Sequence, residues 1–323
     1  MSYLITGGAG FIGSNIAHRL VKNGERVRIL DNFSTGKHEN LAGIENRIEL
    51  IEGDIRDFDL VSHAVKDVDF VLHLAALASV QSSINDPITS NDINVTGTLN
   101  VLQAARLALV KKFVFSSSSA IYGETSSLPI NEWSVAQPLS PYAVGKLIGE
   151  YYARVYWEMY RLPTVSLRYF NVYGPNQNPD GNYAAVIPKF ISSFLNEQSP
   201  VVYGDGLQSR DFIFIEDAVA ANILAAADKE MVGTEYNVGS GQRYTLNQLL
   251  DELCKITGVD LEANYTPARP GDIRDSYADI SKLKTRGFMH QTGFRQGLER
   301  TVESFKKQYS SPKMAAKNES LII

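Results

Sequence analysis

Three glycines, each three residues after the last, follow the first apolar segment of this 323-residue chain. They are Gly7, Gly10 and Gly13. They separate a predicted strand at residues 2–6 from a predicted helix at residues 14–22. Glycines in such a turn let the backbone approach a pyrophosphate closely, and the N-terminus of the helix supplies positive potential. The pattern therefore predicts a dinucleotide-binding unit, with Phe11 and Ile12 between the glycines as further contacts.

An acidic residue, Asp31, ends the second predicted strand at residues 26–30. A carboxylate in this place accepts hydrogen bonds from the ribose hydroxyls of adenosine and repels a 2′-phosphate. The residues that follow, Asn32 and Phe33, carry no positive charge that would attract such a phosphate. We therefore expect the cofactor to be NAD rather than NADP.

Further predicted strands are residues 48–52, 70–74 and 111–115. Their alternation with helices predicts an α/β fold of the Rossmann type, with a doubly wound parallel sheet covered by helices on both faces. Ligands of such a sheet bind at the carboxyl ends of the strands. The candidate cofactor contacts at these ends are Asp54, Ile55, Leu74, Ala75, Ala76 and Ser116. For Asp54, a role as a helix cap stays open as an alternative.

Tyr142 and Lys146 lie four residues apart in a helix predicted over residues 141–160, so both are on one face. Ser140 suits the N-cap and Pro141 the first helical position. A phenol ionises near pH ~10, and both the lysine ammonium and the helix N-terminus favour the phenolate. We interpret Tyr142 as a general base near neutral pH; an ordinary pair on a helix surface is the alternative.

The composition sets limits on the other functions. Apolar residues make up 44% and charged residues 21% of the chain, which is typical of a globular protein. The net charge of −5 predicts no nucleic-acid partner, and no apolar run reaches the length of a membrane span. A single cysteine, Cys254, excludes an internal disulfide and suits a reducing compartment. We expect a cytoplasmic protein, and we assign no metal site.

Taken together, the glycines, the acid after the second strand and the Tyr142/Lys146 pair resemble the extended short-chain dehydrogenase/reductase family. The likeness covers residues 1 to about 305. Within that family, residues 168–175, 183–188 and 210–212 look like the nucleotide-sugar 4-epimerases. The likeness is closest to the bacterial UDP-N-acetylglucosamine 4-epimerases.

The resemblance implies a catalytic role for three residues. Ser118 would hydrogen-bond the sugar O4 beside Tyr142, and Lys146 would bind the nicotinamide ribose and keep Tyr142 anionic. Asn94 and Tyr169 are implied in the cofactor pocket. The implied reaction is a reversible 4-epimerisation of a UDP-hexose, by transient oxidation at C4′ with tightly bound NAD. The resemblance also implies a homodimer, in which two helices from each subunit form a bundle. The candidate helices are those predicted at residues 95–109 and 141–160, although their apolar faces could also pack in the core of one subunit.

The resemblance further implies how the UDP-sugar is held. Arg210 and Arg269 would clamp the diphosphate, Tyr203 would pack on the uracil ring, and Asp272 would bond the uridine ribose. Ser276 matches the position that faces C2 of the sugar, where a small residue leaves volume for an N-acetyl group. The other implied contacts are Ala78, Ser79, Asn171, Ala185 and Val186. We expect UDP-GlcNAc and UDP-GalNAc as substrates, and UDP-Glc and UDP-Gal stay open as additional ones.

The strand–helix alternation becomes irregular after residue 171, where proline and glycine accumulate. This predicts an NAD-binding domain of residues 1–170 plus about 211–240, and a smaller α/β domain of about 171–210 plus 241–308 that binds the nucleotide sugar. Residues 309–323 are predicted to be a loosely attached tail.

Three other functions stay open at this point. A nucleotide-sugar 4,6-dehydratase needs an acid/base pair near Ser119 and Ala120, and neither residue is acidic. A UDP-uronate epimerase or decarboxylase needs a cation for the sugar carboxylate, and none is evident near residues 178–181. A regulator that only binds NAD would typically have lost Tyr142 or Lys146.

Overall fold

The computed structural model describes residues 1–179, 185–268 and 273–309. The strands are β1 (Ser2–Thr6), β2 (Arg26–Asp31), β3 (Ile48–Glu52), β4 (Phe70–His73), β5 (Lys112–Ser118), β6 (Thr164–Tyr169), β7 (Asn171–Tyr173), β8 (Val201–Tyr203), β9 (Ser209–Arg210), β10 (Phe212–Phe214), β11 (Thr234–Val238), β12 (Tyr244–Thr245), β13 (Asn264–Thr266) and β14 (Asp275–Ser276). The α-helices are α1 (Phe11–Lys22), α2 (Phe58–Val65), α3 (Val80–Asn85), α4 (Pro87–Asn91), α5 (Thr98–Leu107), α6 (Pro141–Tyr160), α7 (Val186–Leu195), α8 (Ile215–Ala227), α9 (Leu246–Thr257), α10 (Ser281–Lys284) and α11 (Phe294–Tyr309).

Seven strands form one parallel sheet in the order β3-β2-β1-β4-β5-β6-β11. The order reverses between β1 and β4, which opens a crevice at the carboxyl ends of these strands. The predicted α/β fold with a doubly wound parallel sheet is therefore confirmed. Within the sheet, Ser118 at the end of β5 pairs with Tyr169 at the end of β6.

Helices cover both faces of this sheet, because alternate side chains of a strand point to opposite faces. Leu4 and Ile5 of β1 are both buried, and they belong to different apolar clusters. The cluster of Leu4 includes Val61 of α2 and Val101 of α5. The cluster of Ile5 includes Ile16 of α1 and continues into the remainder of the chain. No described helix is both long and apolar enough to cross a bilayer.

Three small sheets lie beyond β6. They are the parallel pairs β7–β10 and β8–β13, and the three-stranded sheet β12-β9-β14. Helices α7, α9 and α11 belong to the same region and contribute Phe190, Leu253 and Phe305 to the larger apolar cluster. This region follows directly from the carboxyl ends of the sheet, which is where ligands of such a sheet bind.

Several predicted boundaries differ from the structure. Helix α1 begins at Phe11, because Gly10 takes the extended N-cap conformation. Strand β5 continues to Ser118, because its serines pair with β6. The helix predicted at residues 95–109 is a π-helical turn, Asp92–Gly97, followed by α5. Tyr309 is not part of a loose tail: it ends α11, and its hydroxyl contacts Ser192 Oγ at 2.6 Å. Residues 310–323 of the predicted tail lie outside the described residues.

Two glycines let α6 approach its neighbours closely. A Cβ added at Gly149 would lie 2.4 Å from the ring of Phe115 in β5, and one at Gly145 would lie 3.1 Å from Cβ of Asn94. Tyr142 and Lys146 sit on this same helix. The small residues of α6 therefore determine how near these two side chains come to the strand ends.

We expect Gly149→Ala to lower the free energy of unfolding by about 1–3 kcal/mol, because the buried ring of Phe115 must move. Urea denaturation of the purified protein measures this change. Gly293→Ala is the control, since a Cβ there meets nothing within 4 Å and should change stability by less than about 0.5 kcal/mol. Equal stabilities for the two variants would show that the helix is not closely packed at Gly149.

Candidate active site

The glycine turn after β1 leaves the N-terminus of α1 open to an anion. Gly7 adopts a positive φ of 69°, and its amide donates to the Leu30 carbonyl at 2.8 Å. A Cβ at Gly13 would lie 2.3 Å from the Gly7 carbonyl oxygen, so a larger residue is excluded. Gly10 is the N-cap, no side chain caps the helix, and the first turn, which includes Phe11 and Ile12, holds no acidic residue. These amides fit a pyrophosphate.

Asp31 is buried at the end of β2, next to this turn. Its Oδ2 accepts the amide of Ala9 at 2.8 Å, and its Oδ1 accepts the amide of Phe33 at 2.9 Å. Both oxygens are thereby held in place, and each retains a second lone pair. The arrangement fits the two ribose hydroxyls of adenosine, as expected for NAD.

Asp54 follows β3 and lies beside Asn32, whose amide donates to its Oδ2 at 2.9 Å. Arg56 forms an ion pair with the same carboxylate at 2.8 Å, and mainly this contact lowers the pKa of Asp54 to about 2. The cap of the following helix is Asp57, whose side chain accepts the amide of Leu60. The alternative interpretation of Asp54 as a helix cap is therefore wrong.

The segment after β4 is held at its two ends. The amides of Leu74 and Ala75 donate to the carbonyl and the hydroxyl of Thr6, at 3.1 and 3.3 Å. Asn94, buried in the π-helical turn, accepts the amide of Leu77 at 2.8 Å and donates to its carbonyl at 3.1 Å. Asn94 therefore fixes the backbone that carries the predicted contacts. These are Leu74, Ala75, Ala76, Ala78 and Ser79.

Two of the predicted contacts, Ser79 and Ile55, also have a structural role. The Ser79 hydroxyl caps α3 by accepting the amide of Ser82 at 3.0 Å. Ile55 is buried, and a Cβ at Gly97 would lie 2.6 Å from it. Both side chains therefore contribute to packing or capping beside the crevice, whatever they bind.

Helix α6 begins as the sequence predicts. The Ser140 hydroxyl accepts the amide of Ala143 at 3.2 Å, and the Ser83 hydroxyl accepts the amide of Tyr142 at 3.1 Å. These contacts satisfy two of the four amides that a helix leaves without partners at its N-terminus. They place Tyr142 in the first turn, at the carboxyl end of the sheet.

The structure brings Ser118, Tyr142 and Lys146 together. The Ser118 hydroxyl lies near the Tyr142 phenol and acts to lower the pKa of that phenol. The ammonium of Lys146 is buried, donates to the Ser116 carbonyl at 2.7 Å, and lies 5.9 Å from the centre of the Tyr142 ring. A hydroxyl, a phenol and an ammonium thus converge where β5 ends.

The electrostatics of this group differ from the expectation. Burial raises the pKa of Tyr142, and the nearby Ser118 hydroxyl only partly opposes this effect. Burial also lowers the pKa of Lys146 to about 8, against the attraction of Glu150. The expected lowering of the Tyr142 pKa is therefore wrong for this structure. Desolvation disfavours both charged forms, and the ammonium donates to a backbone carbonyl instead of pairing directly with the phenol.

Tyr169 completes this end of the sheet. Its hydroxyl donates to Asn222 Oδ1 at 2.8 Å and accepts from Ser116 Oγ at 3.5 Å. Burial raises its pKa to about 12, so the phenol is neutral at physiological pH. Ser116 therefore contributes both a hydroxyl to Tyr169 and a carbonyl to Lys146.

Three of the predicted substrate contacts form one connected patch. The amide of Asn171 donates to the Asp211 carbonyl at 3.0 Å, and the amide of Asp211 donates to the Ser276 carbonyl at 2.8 Å. Ser276 pairs with Arg210 between β14 and β9, and its side chain is buried. Because Asn171 follows Tyr169 by two residues, the patch continues directly from the strand ends.

The other predicted substrate contacts differ in what the structure shows of them. Tyr203 ends β8 and is 36% exposed, so it is not a buried core residue. Ala185 is the exposed N-cap of α7, and Val186 is its first residue. Arg269 and Asp272 lie outside the described residues.

The sequence interpretation assigned no role to Glu150, Arg168 and Asp211. Glu150 and Arg168 form a buried ion pair at 2.7 Å behind Lys146. Asp211 accepts the amides of Ser240, Gly241 and Ala278 at 2.7, 3.0 and 3.1 Å, and so holds the patch around Ser276. The sequence does offer a signal for Glu150, because this residue lies one helical turn after Lys146. Arg168 and Asp211 lie in residues 168–175 and 210–212, which resemble the nucleotide-sugar 4-epimerases.

Residues 3–239, which are most of the chain, match the NAD dependent epimerase/dehydratase family. The UDP-N-acetylglucosamine 4-epimerase of Methanobrevibacter ruminantium, solved with UDP-N-acetylmuramic acid, is 43% identical with a TM-score of 0.92, over 95% of this chain and 98% of that one. The UDP-glucose 4-epimerase of Thermotoga maritima, solved with UDP-glucose, is 38% identical with a TM-score of 0.92, over 96% and 100%. The UDP-glucose 4-epimerase of Mycolicibacterium smegmatis is 36% identical, over 95% and 99%.

These likenesses extend over nearly the whole chain and agree with the geometry of the glycine turn, Asp31 and the Tyr142 helix. They confirm the resemblance to the extended short-chain dehydrogenase/reductases. The chain is an enzyme of the NAD-dependent epimerase/dehydratase family, and NAD is its cofactor.

Proposed function

We propose that this enzyme is a UDP-sugar 4-epimerase that interconverts UDP-GlcNAc and UDP-GalNAc. The observation that carries the proposal is the convergence of Ser118, Tyr142 and Lys146 at the carboxyl end of the sheet. The similar proteins from M. ruminantium and T. maritima are both 4-epimerases, which supports the same reaction here. UDP-Glc and UDP-Gal are proposed as additional substrates.

In this proposal Tyr142 is the general base, and it removes the proton of the 4′-hydroxyl. The Ser118 hydroxyl, which lies near Tyr142, donates a hydrogen bond to the same sugar oxygen. Lys146 supplies the positive charge that stabilises the phenolate. The protonated Tyr142 then returns the proton to O4′ after the configuration at C4′ has inverted.

The cofactor is held by residues that stand around the crevice. Bound NAD would supply the hydride acceptor for C4′ and then the hydride donor that restores this hydrogen on the opposite face of the sugar. The glycine turn would hold the pyrophosphate, and Asp31 the adenosine ribose. Asp54 and Ile55 would flank the adenine. Because the cofactor is regenerated in each turnover, no external oxidant is needed.

The patch of Asn171, Arg210 and Ser276 is proposed to hold the nucleotide sugar. Arg210 would bind the diphosphate, together with Arg269 as the resemblance implies. Tyr203, which is 36% exposed at the end of β8, is proposed to pack on the uracil. Ser276, small and buried, would leave volume beside C2 of the sugar, and this supports N-acetylated substrates.

The residues after Ser118 argue against a dehydratase. Ser119 and Ala120 begin a 3₁₀ turn that directly follows β5, and neither side chain can serve as an acid or base for elimination of water. The intact Tyr142/Lys146 arrangement likewise argues against a protein that only binds NAD.

We further propose a cytoplasmic homodimer with the two-domain division that the sequence predicts. Support for the dimer comes from α6, where Val144, Tyr151, Val155 and Met159 are exposed apolar residues. Their spacing places them along one side of the helix. A second copy of this surface would bury them.

Tyr142→Phe should lower kcat by about 10³-fold or more, because the general base is removed. NMR detection of C4′ inversion, starting from UDP-GalNAc without added oxidant, measures the loss. Tyr160→Phe, at an exposed tyrosine on the same helix outside the proposed dimer surface, is the control and should keep full activity. A Tyr142→Phe enzyme that inverts C4′ at the wild-type rate would contradict the proposed mechanism.

Ser276→Tyr should lower kcat/KM for UDP-GalNAc by on the order of 100-fold, and far less for UDP-Gal, because the larger side chain fills the space beside C2. Parallel assays with both sugars show the difference, and the UDP-Gal activity reports that the variant is folded. Ser281→Tyr, at an exposed serine, should leave both activities unchanged. A parallel loss of both activities would remove Ser276 as the specificity residue.

The pKa shifts of Tyr142 and Lys146 predict how the activity depends on pH. In the active form of this pair Lys146 is protonated and Tyr142 is deprotonated, so the two groups together carry one proton. Below about pH 8 both groups are protonated. We therefore expect kcat/KM to rise with pH through about 8 and then level off. In Lys146→Met the remaining limb belongs to Tyr142, whose pKa is raised, so the rise should move to higher pH.

Lys111→Met is the matched control, because Lys111 is exposed and pairs with Asp69 away from the site. Its profile should equal that of the wild type. An unchanged rise near pH 8 in Lys146→Met would contradict the assignment of this limb to the pair.

A further inference from the structure

We propose that Glu150 is a positioning residue of the active site, which holds the helix of Tyr142 and Lys146 against the end of β5 through Ser117 and Arg168. The proposal rests on the proposed function, because it assigns to Glu150 an effect on the base and cation of that same reaction.

Glu150 lies one helical turn after Lys146, on the same side of α6. Its side chain is 2% exposed. Oε1 accepts the Ser117 hydroxyl at 2.5 Å and Arg168 Nε at 2.9 Å, and Oε2 accepts Arg168 Nη2 at 2.7 Å. The carboxylate therefore joins α6 to two adjacent strands, β5 and β6, through three charge-assisted or short hydrogen bonds.

Ser117 makes this connection specific to the site. It stands between Ser116, whose carbonyl accepts Lys146 Nζ, and Ser118, whose hydroxyl lies near the Tyr142 phenol. Neighbouring side chains of a strand point to opposite faces, so a bond at Ser117 leaves Ser116 and Ser118 free to serve the site. A shift of α6 along β5 would lengthen both contacts at once.

Arg168 extends the connection to the region that holds the nucleotide sugar. Its Nη1 donates to the Tyr122 hydroxyl at 2.9 Å and to the Glu132 carbonyl at 3.0 Å. The Tyr122 hydroxyl donates to Asn237 Oδ1 at 2.7 Å, and Asn237 donates to the Ile130 carbonyl at 2.9 Å. Ile130 in turn donates its amide to the Tyr277 carbonyl, next to Ser276.

Stability alone gives a poor reason for this ion pair. Buried ion pairs add little net stability over apolar side chains of similar volume, although breaking one is costly. Here the described hydrogen-bond partners of the carboxylate are Ser117 of β5 and Arg168 of β6, and both strands also carry a site residue. This supports a role in positioning Tyr142 and Lys146.

The charge of Glu150 acts on the site as well. The titratable groups that face Lys146 are Tyr142 and Glu150 on its own helix and His73 on β4, with Arg168 of β6 behind Glu150. Burial keeps His73 neutral, with a pKa of about 3. Glu150 raises the pKa of Lys146 against burial, so it favours the form of the pair in which the proton is on Lys146.

The test compares Glu150→Gln with the wild type and with Glu158→Gln, an exposed residue two turns further along α6. We expect Glu150→Gln to lower the plateau of kcat by about tenfold for each unit by which the Lys146 pKa falls, and to move the acid limb to lower pH by the same number of units. KM should change by less than about threefold. Glu158→Gln should match the wild type.

Ser117→Ala keeps the test decisive if Glu150→Gln fails to fold, because this variant leaves the ion pair intact. It should lower kcat by about five- to tenfold with an unmoved acid limb, since the charge is retained and only the connection is lost. Crystal structures provide a readout independent of turnover: in both variants the Lys146 Nζ to Ser116 carbonyl contact should lengthen.

The outcomes separate the two proposals. A wild-type enzyme without C4′ inversion contradicts the proposed function, whatever the variants do. An active wild type whose Glu150→Gln and Ser117→Ala variants differ from it only in melting temperature, with the same kcat, acid limb and Lys146 contact, overturns the positioning role.

Discussion

The close approach of α6 to the end of β5 is the contact on which the active site depends. Gly149 packs on the Phe115 ring, and one turn earlier Lys146 donates to the Ser116 carbonyl at 2.7 Å. The Tyr142 phenol on the same helix lies near the Ser118 hydroxyl. The chain thus uses the absence of a side chain to bring the Tyr142 phenol beside the strand ends, where a parallel sheet exposes its ligand crevice.

That closeness has an electrostatic consequence. A helix packed so tightly carries its lysine and tyrosine away from water, and burial disfavours the charged form of each. The buried carboxylate of Glu150 opposes this effect at Lys146, and it accepts hydrogen bonds from Ser117 and Arg168. The tight packing of α6 therefore also shifts the pKa values of Lys146 and Tyr142, and a change in this packing would alter both values.

The same arrangement connects the crevice of the parallel sheet with the patch that is proposed to hold the nucleotide sugar. The parallel sheet ends at Tyr169, and two residues later Asn171 begins the patch that includes Arg210 and Ser276. The buried Asp211 ties this patch to residues 240, 241 and 278. A sugar held in the patch would lie at the edge where Ser118 and Tyr142 meet, since β5 and β6 pair at Ser118 and Tyr169.

Local features of the sequence determined the sheet, the glycine turn, the acid after β2 and the cap and face of α6, because strand and helix periodicity and capping act over a few residues. The π-helical turn at Asp92–Gly97, the full length of β5 and the attachment of Tyr309 depended on partners distant in the chain. So did the raised pKa of Tyr142, because burial is a property of the packed structure and not of spacing. The pairing of Glu150 with Arg168 and Ser117 was likewise decided only by the tertiary structure, which brings one helix and two strands to the same buried point.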